Sequence, residues 1–275
     1  MEFILNDEDF KLFKDFIYEK SGIYFSEINK AVLENRLYEI MLKNKYSSLK
    51  EYYNFLLKDE NEIRNFLDKV TTNLTKFFRN EPQFEALKNT VIKEIVKRNK
   101  EKGINNIRIW SAGCSSGEEP YTIAMVFAEE LGFNSSFEVK IVASDISLKS
   151  LLIAKEGFYS EEKVKDVPQN YLEKYFERIG DGYKIKDEIK KMIKFDYHNL
   201  KHEFPYKDLD IIFCRNVIIY FDQKIQLDVI NKFYNLLRDY GYLFLGHSES
   251  LFGMNTKFKF RKIDNAICYI KDETK

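Results

Sequence analysis

The first 70 residues of the chain carry apolar residues at helical spacing. Phe10, Phe13, Phe16 and Ile17 share one face of a predicted helix, and Gly22 is placed to end it. Three further apolar stripes predict three more helices: Val32, Leu33, Leu37, Ile40 and Met41; Tyr52, Tyr53, Leu56 and Leu57; and Ile63, Phe66, Leu67 and Val70. We therefore predict a small all-helical N-terminal domain over residues 1–72.

After about residue 90 the pattern changes to short apolar, β-branched runs that alternate with helical ones. The predicted strands are residues 107–110, 139–143, 191–195, 210–214, 242–246 and 266–270. Helical patterns lie between most of them, at residues 121–131, 147–156 and 223–237. Strands that alternate with helices form a mostly parallel sheet covered on both faces. This predicts an α/β domain with a doubly wound sheet over residues 91–275.

One stretch of this domain departs from the alternation. Residues 164–196 contain Gly180, Asp181 and Gly182, which form a hairpin signal. We predict a small antiparallel β insertion there.

Composition and charge exclude several classes of protein. The 275 residues include 44 Lys+Arg and 44 Asp+Glu, so the whole chain has no general attraction to nucleic acid. The three cysteines are too scattered for a disulfide framework or a zinc spacing. His198 and His202 have no third ligand near them in sequence, so we predict no metal site. The longest apolar run, residues 211–221, is far shorter than the ~20 residues of a transmembrane helix. We expect a cytoplasmic protein without membrane insertion.

A loop of small residues, 111–117, follows the first predicted strand. Gly113 and Gly117 permit close approach of a ligand to the backbone. Glu118 and Glu119, which come next, would repel a phosphate and attract an ammonium or sulfonium group. The alternative is that both acids only favour the N-terminus of the following helix.

Asp145 follows the second predicted strand. A carboxylate in this position, beside a glycine loop, is the usual means of binding both hydroxyls of a ribose. It can also cap the helix that begins near Ser147. Together the loop and the aspartate indicate a ligand with a ribose, a positive charge and no phosphate. S-adenosylmethionine (SAM) has that description.

Polar residues also follow the later strands, at the edge where a parallel sheet binds its ligand. Asn199 and Leu200 offer an amide and an apolar edge to adenine. Arg215 and Asn216 follow the fourth strand, and an arginine in apolar surroundings needs a partner. Tyr220, in the same run, fits a site or a core tyrosine equally well.

The segment before the sheet, residues 71–80, interleaves polar and aromatic side chains. Its polar members are Asn73, Thr75 and Arg79. In a linker between two domains, such a segment can close over a ligand. It can also be a helix cap with an aromatic anchor.

With these motifs in place, the chain resembles the CheR family of chemoreceptor glutamate methyltransferases. The matching motifs are TNLTKFFR, IWSAGCSSGEEPYTIAM, ASDI, HNL, IIFCRNVIIYFD and GYLFLGHSES, in the order of the family and across most of the chain. The resemblance implies a class I, Rossmann-like SAM-dependent methyltransferase domain. It also implies the reaction, in which a methyl group passes from SAM to glutamate side chains of receptors during chemotaxis adaptation. The products are glutamate methyl esters and S-adenosylhomocysteine (SAH).

The resemblance also implies roles for individual residues. It implies cofactor contacts from Asn73, Thr75, Arg79, Gly113, Glu118 or Glu119, Asp145, Asn199, Leu200, Arg215 and Asn216. Of the two glutamates, Glu119 is favoured. Arg79 and Tyr220 are the implied catalytic residues, which position the substrate next to the methyl group. Residues 73–90 are expected to close over the cofactor as an interdomain linker.

The partners follow from the same resemblance. A basic face of the N-terminal helices, with Lys30, Arg36, Lys43 and Lys45, is expected to contact the methylation helices of a chemoreceptor. The hairpin turn is short compared with family members that dock a C-terminal receptor peptide, so we expect no such docking. Two alternatives stay open: a signalling scaffold that binds SAM without turnover, and a methyltransferase with a different acceptor.

Overall fold

The computed structural model describes residues 5–272, so residues 1–4 and 273–275, at the outer ends of the predicted domains, lie outside the described part. The N-terminal part is helical, with α1 Asp7–Ser21, α2 Lys30–Asn44, α3 Leu49–Leu56 and α4 Glu60–Val70. Side chains of Asn6, Ser48 and Asp59 accept hydrogen bonds from backbone N–H groups in the first turns of α1, α3 and α4. These caps satisfy donors that have no partner inside a helix.

The apolar stripes form the core of this helical part, with two clear exceptions. Phe13, Ile17 and Phe66 are buried together, as the helical spacing predicts. Val32 is 46% exposed and Leu57 is 56% exposed, so these two members of the stripes face outward. Val32 lies at the edge of a cavity between the two parts of the chain.

The α/β part begins with helices that lead into the first strands. Its first elements are α5 Glu81–Ala86, a π-helical turn Leu87–Val91, α6 Ile92–Glu101, β1 Asn106–Ala112, α7 Glu118–Leu131, β2 Glu138–Asp145 and α8 Leu148–Glu156. Residues 73–80, which precede them, form neither helix nor strand.

A small antiparallel sheet follows α8. Its elements are β3 Phe158–Ser160, α9 Glu161–Val164, α10 Gln169–Tyr175, β4 Phe176–Ile179, β5 Gly182–Ile185 and α11 Asp187–Lys190. Strands β4 and β5 form the predicted hairpin, and β3 pairs with the other edge of β5. The predicted antiparallel insertion is thus confirmed. Its sheet also contains β3, which precedes the expected start near residue 164.

The remaining elements complete a seven-stranded sheet. They are β6 Ile193–Tyr197, β7 Leu209–Cys214, α12 Gln223–Leu236, β8 Leu237–Leu245, β9 Lys259–Ile263 and β10 Ala266–Ile270. The strand order is β6-β2-β1-β7-β8-β10-β9, with parallel pairing from β6 to β8 and antiparallel pairing at β10 and β9. This confirms the predicted α/β class and mostly parallel sheet, to which the structure adds β9.

Successive residues of β1 point to opposite faces of the sheet, and helices cover both faces. Ile109 packs in the cluster that includes residues of α6 and α7, whereas Trp110 packs on the other face against Phe233 of α12. All helices within residues 5–272 fall short of the length and apolar character needed to cross a bilayer.

Candidate active site

A central cavity of about 340 Å³ lies at the carboxyl ends of β1, β2, β6 and β7. This is within the usual range for small-ligand sites, about 300–1,000 Å³. The predicted site residues that line it are Asn73, Thr75, Arg79, Gly113, Glu119, Asp145, Asn199, Leu200, Arg215, Asn216 and Tyr220. They come from five separate parts of the sequence. Four of these parts follow β1, β2, β6 and β7, which the parallel sheet brings to one edge, and the fifth is residues 73–79 before α5. Glu118 is not among the lining residues.

The glycine loop after β1 packs tightly against its neighbours. Gly113 has φ +79°, and a Cβ added to it would lie 2.4 Å from Cγ2 of Val217. Gly117 has φ +95°, and its added Cβ would lie 2.8 Å from Cβ of Ala154. The loop therefore requires glycine at both positions, because of the backbone conformation and because of the close approach.

Asp145 ends β2 with its side chain almost fully buried in the cavity wall. Its Oδ2 accepts a hydrogen bond from the N–H of Ser115 at 2.7 Å, and its Oδ1 accepts one from Ser147 at 2.8 Å. Burial raises the pKa of Asp145, and these backbone N–H groups oppose the shift. The N-cap of α8 is Ser147, whose side chain accepts from the N–H of Ser150. Asp145 is thus free of the capping role, and each of its oxygens keeps acceptor capacity for a hydroxyl.

The two adjacent glutamates have different surroundings. Glu119 lines the cavity, and its Oε1 accepts a hydrogen bond from the hydroxyl of Ser111 at 2.7 Å. Glu118 points away from the cavity and is fully buried, where its oxygens bind Ser116 at 2.7 Å and Lys163 at 3.2 Å. Consecutive helix residues point about 100° apart, so only one of the two can face the ligand. The geometry therefore does not support a contact between Glu118 and the cofactor, because the carboxylate of Glu118 binds Ser116 and Lys163 and so stabilises the glycine loop.

Arg215 is the most buried positive charge at the cavity, with 3% of its side chain exposed. Its Nε lies 3.6 Å from Oε2 of Glu119, and its guanidinium lies 5.2 Å from the ring centroid of Phe84. Burial lowers the pKa of Arg215 and raises that of Glu119, and each charge opposes the shift of the other. Within residues 5–272, Nε and Nη1 of Arg215 have no hydrogen-bond acceptor. Two buried donors therefore stand ready for an anionic group of a ligand.

Arg79 enters the cavity from the irregular segment before α5. Its Nη1 donates to the carbonyl of Leu74 at 2.9 Å, which folds the segment back on itself. Its own carbonyl accepts a hydrogen bond from Nη2 of Arg215. The linker and the loop after β7 are thus joined directly at the site.

Asn199 and Tyr220 connect the cavity to the N-terminal domain. The Asn199 Nδ2 donates to the carbonyl of Lys20 at 2.7 Å, and its Oδ1 accepts from the N–H of Lys201 at 3.0 Å. The carbonyl of Tyr220 accepts from the N–H of Tyr24 at 2.8 Å. One N–H of the amide expected to face adenine therefore joins the two domains, and one lone pair serves its own loop. One N–H and one lone pair of the amide are left over.

Two features of the site escaped the sequence analysis. Tyr24 and Val32 of the N-terminal domain line the cavity, and no local pattern indicates which helix face meets another domain. Glu249, in the loop after β8, is 8% exposed and accepts hydrogen bonds from the loop after β7. Glu249 belongs to the GHSES motif, which is the sequence signal that points to it.

Between positions 5 and 272, no three His, Cys, Asp or Glu side chains are grouped so that they could hold a metal ion.

Two protein-family models match the two parts of this chain. The model for the CheR methyltransferase SAM-binding domain matches residues 73–267, and the model for the CheR methyltransferase all-alpha domain matches residues 8–71. The chain belongs to the CheR methyltransferase family. The resemblance seen in the sequence motifs is thereby confirmed, and the cofactor of this CheR-family protein is SAM.

Curated relatives match over nearly the whole chain. A chemotaxis protein methyltransferase of Borreliella burgdorferi is 41% identical over 91% of this chain and 90% of its own length. Chemotaxis protein methyltransferase 2 of Vibrio cholerae is 34% identical over 98% of this chain and 95% of its own length. Among solved structures, PKMT2 from Rickettsia typhi in complex with AdoHcy has 14% identity and a TM-score of 0.33, and the match covers 50% of this chain and 20% of that one.

The residues of the central cavity fit SAM group by group. Asp145 has acceptors for the two ribose hydroxyls, and Glu119 has a negative charge for the amino group. Arg215 forms an ion pair with Glu119, and its two N–H groups without a hydrogen-bond acceptor suit the carboxylate. The hydroxyl of Ser115, also buried without a partner in the described chain, adds one more polar group to the wall.

Proposed function

We propose that the protein transfers the methyl group of SAM to glutamate side chains of chemoreceptors, giving methyl esters and SAH. The observation that carries the proposal is the convergence on one cavity of Asp145, Glu119 and Arg215 with Arg79 and Tyr220. The first three suit the cofactor. The last two add an arginine and a phenol at the same cavity, where an acceptor carboxylate could be held.

The chemistry requires little from the protein beyond placement. A glutamate side chain has a pKa of about 4.3 and is ionised at neutral pH, so no general base is needed. Bound SAM supplies an activated methyl group, and the electron pair of the broken bond returns to its sulfur. The protein brings carboxylate and methyl into line and excludes water. We assign Arg79 to hold the acceptor carboxylate and Tyr220 to orient it.

The remaining cofactor contacts are proposed for the other lining residues. We assign Asn73, Thr75, Gly113, Asn199, Leu200 and Asn216 to the cofactor, with Glu118 kept as a brace of the glycine loop. Residues 73–90 serve as the segment that closes over the site, between a helical domain of residues 1–72 and the methyltransferase domain.

The test of the function is methyl transfer to purified receptor with methyl-labelled SAM. We expect label in the receptor, and we expect mild alkali to release it as methanol, because an ester hydrolyses and an N-methyl group does not. A protein that binds SAH yet labels no receptor would support the scaffold alternative. Label that resists alkali, or that enters only other molecules, would support a different acceptor.

Replacing Tyr220 with phenylalanine should reduce turnover about 30- to 100-fold while changing the Kd for SAH less than about threefold. The ring keeps its shape and loses only the hydroxyl, and misplacement of a reacting group by about 1 Å can cost about 100-fold. Steady-state kinetics with receptor and calorimetry with SAH give the two numbers. Unchanged turnover would remove Tyr220 from the mechanism.

We propose that the receptor binds the basic face formed by Lys30, Arg36, Lys43 and Lys45. Lys43 and Lys45 are exposed, whereas Lys30 already pairs with Asp7 at 2.6 Å and contributes less free charge.

Charge reversal of Lys43 and Lys45 to glutamate should raise the KM for receptor about tenfold at low salt and leave kcat and SAH binding unchanged. The matched control reverses Lys97 and Lys100 on α6, which are also exposed. Equal increases in the KM for receptor in the two double variants would argue that the receptor does not bind this face.

Two further proposals concern the cellular compartment and the docking of a receptor peptide. We place the protein in the cytoplasm, which suits its free, buried cysteines at positions 114, 214 and 268. We also propose that it acts without docking a C-terminal receptor peptide, because only Gly180 and Asp181 join β4 to β5. Receptors with and without their C-terminal segment should then be methylated at equal rates.

A further inference from the structure

Glu249 is a buried carboxylate surrounded by backbone N–H groups. Its Oε2 accepts from Gly246 at 2.5 Å and Asn216 at 2.7 Å, and its Oε1 accepts from Val217 at 2.8 Å and Ile219 at 3.3 Å. No basic side chain within residues 5–272 lies close enough to form an ion pair with it. Four main-chain N–H groups, together with the positive charge of the buried Arg215, therefore balance its negative charge, and the hydrogen bonds fix the positions of the four donors.

Three of the four donors belong to one segment, residues 216–219, which follows β7. Asn216 adopts φ +60°, a left-handed conformation that favours glycine over other residues. The next turn is the 3₁₀ helix Ile218–Tyr220, so the carboxylate also anchors the start of the turn that carries Tyr220. The carbonyls of Ile218 and Phe221 each accept from Nε2 of Gln226 at 2.9 Å. Glu249 thus holds three N–H groups of the segment, and Gln226 holds the carbonyl of Ile218 within it and that of Phe221 just after it.

This segment touches the cavity at several points. Asn216 and Val217 line it, as does Tyr220 directly after the segment, and Val217 is the residue against which Gly113 of the glycine loop packs. A shift of the segment would therefore move Tyr220 relative to the glycine loop after β1. Glu249 itself is not among the residues that line the cavity. It can act on the site through the backbone of this segment and through its charge, which favours higher pKa values for Glu119 and Arg215.

Gly246 leaves room for the carboxylate. A Cβ at position 246 would lie 2.6 Å from Oε2 of Glu249 and 2.7 Å from the N–H nitrogen of Asn216. The first and last residues of the sequence Gly246–Glu249 are also joined by a backbone hydrogen bond of 3.0 Å from Glu249 to Gly246. Glycine and glutamate therefore act together as one anchor.

We propose that Glu249 is a positioning residue for methyl transfer, which sets the place of Tyr220 through the backbone of residues 216–219. The proposal rests on the proposed function, because its effect is on the catalytic step. Asp145 and Glu119, which suit the cofactor, lie on other elements. The role predicts a loss in turnover that is larger than any loss in cofactor binding.

The first test is Glu249→Gln, which keeps the size of the side chain. An amide presents one acceptor oxygen and turns N–H donors towards the other backbone N–H groups, so part of the anchor is lost. We expect kcat to fall about 30- to 100-fold and the Kd for SAH to change less than about fivefold. Glu203→Gln, an exposed glutamate elsewhere, is the control and should match the unmodified protein in both numbers.

A double-mutant cycle with Tyr220→Phe shows whether Glu249 acts through Tyr220 or affects turnover independently of it. If Glu249 acts through Tyr220, the double variant should fall no more than about threefold below the worse single variant. If the two act independently, their losses multiply. Multiplied losses, or a kcat for Glu249→Gln within twofold of the unmodified protein, would overturn the proposal.

Gly246→Ala provides a second variant that displaces the carboxylate without removing it. It should show the same loss in kcat with SAH binding retained. If both variants bind SAH normally and turn over normally, or if both fail to fold, the positioning role is rejected. Failure of the unmodified protein to methylate receptor would instead reject the proposed function, and the SAH and folding measurements keep the two cases apart.

Discussion

Replacement of Asp145 by alanine is expected to weaken SAH binding at least about 100-fold. A hydrogen bond to a charged group contributes about 1.5–3 kcal/mol, and Asp145 is placed to accept one from each ribose hydroxyl. Two such bonds amount to about 3–6 kcal/mol, and each 1.4 kcal/mol corresponds to a factor of ten in Kd. The variant also leaves the buried N–H groups of Ser115 and Ser147 without their acceptor, which loosens the glycine loop after β1.

Calorimetry with SAH measures this loss after any carried ligand has been removed by unfolding and refolding. The control is Asp196→Ala, on the neighbouring strand β6, where the carboxylate is half exposed and 3.8 Å from Lys194. It should bind SAH as the unmodified protein does. If Asp145→Ala bound SAH with an unchanged Kd, Asp145 would not be the ribose-binding residue, and the placement of the cofactor in the central cavity would need revision.

Asp145 and the glycine loop were predictable because their signals are local. A parallel sheet collects the carboxyl ends of its strands at one edge, so the residue after each strand identifies the site before any contact is known. The choice between Glu118 and Glu119 depends on how α7 is rotated about its axis. Packing of the helix against the sheet and of Glu118 against Lys163 sets that rotation. The second of these contacts joins residues 45 positions apart in the sequence.

The features that escaped prediction depend on contacts between distant segments. Val32 belongs to an apolar stripe yet faces the cavity, because the N-terminal domain joins the sheet domain there. A β-bridge between Ile23 and Phe221 helps to fix that arrangement. Strand β9 forms only because β10 pairs with it at the sheet edge. In the sequence, Glu249 has the character of an ordinary exposed loop residue. Its burial depends on the loop after β7, which packs around it.

At the other end of the sheet, Asp210→Ala should lower the free energy of unfolding by about 3–5 kcal/mol. Asp210 lies at the start of β7 with its side chain fully buried, and it binds Nη1 of Arg238 at 3.0 Å and Nη2 of Arg98. It also accepts from the N–H of Arg108 at 2.8 Å and Nδ2 of Asn99 at 3.1 Å. Removing one partner of a buried pair leaves an uncompensated charge, and here two largely buried arginines lose their partner at once.

Urea unfolding followed by the fluorescence of Trp110 measures this loss, since the chain has one tryptophan and it lies in β1. The control is Asp239→Ala, whose half-exposed carboxylate lies 3.8 Å from Lys271 and should contribute less than about 1 kcal/mol. A loss below about 1 kcal/mol for Asp210→Ala would mean that water or new partners satisfy the arginines. Because Asp210 lies at the amino ends of the strands, away from the cavity, folded Asp210→Ala should bind SAH normally. Asp145→Ala should show the reverse, with binding lost and the sheet retained.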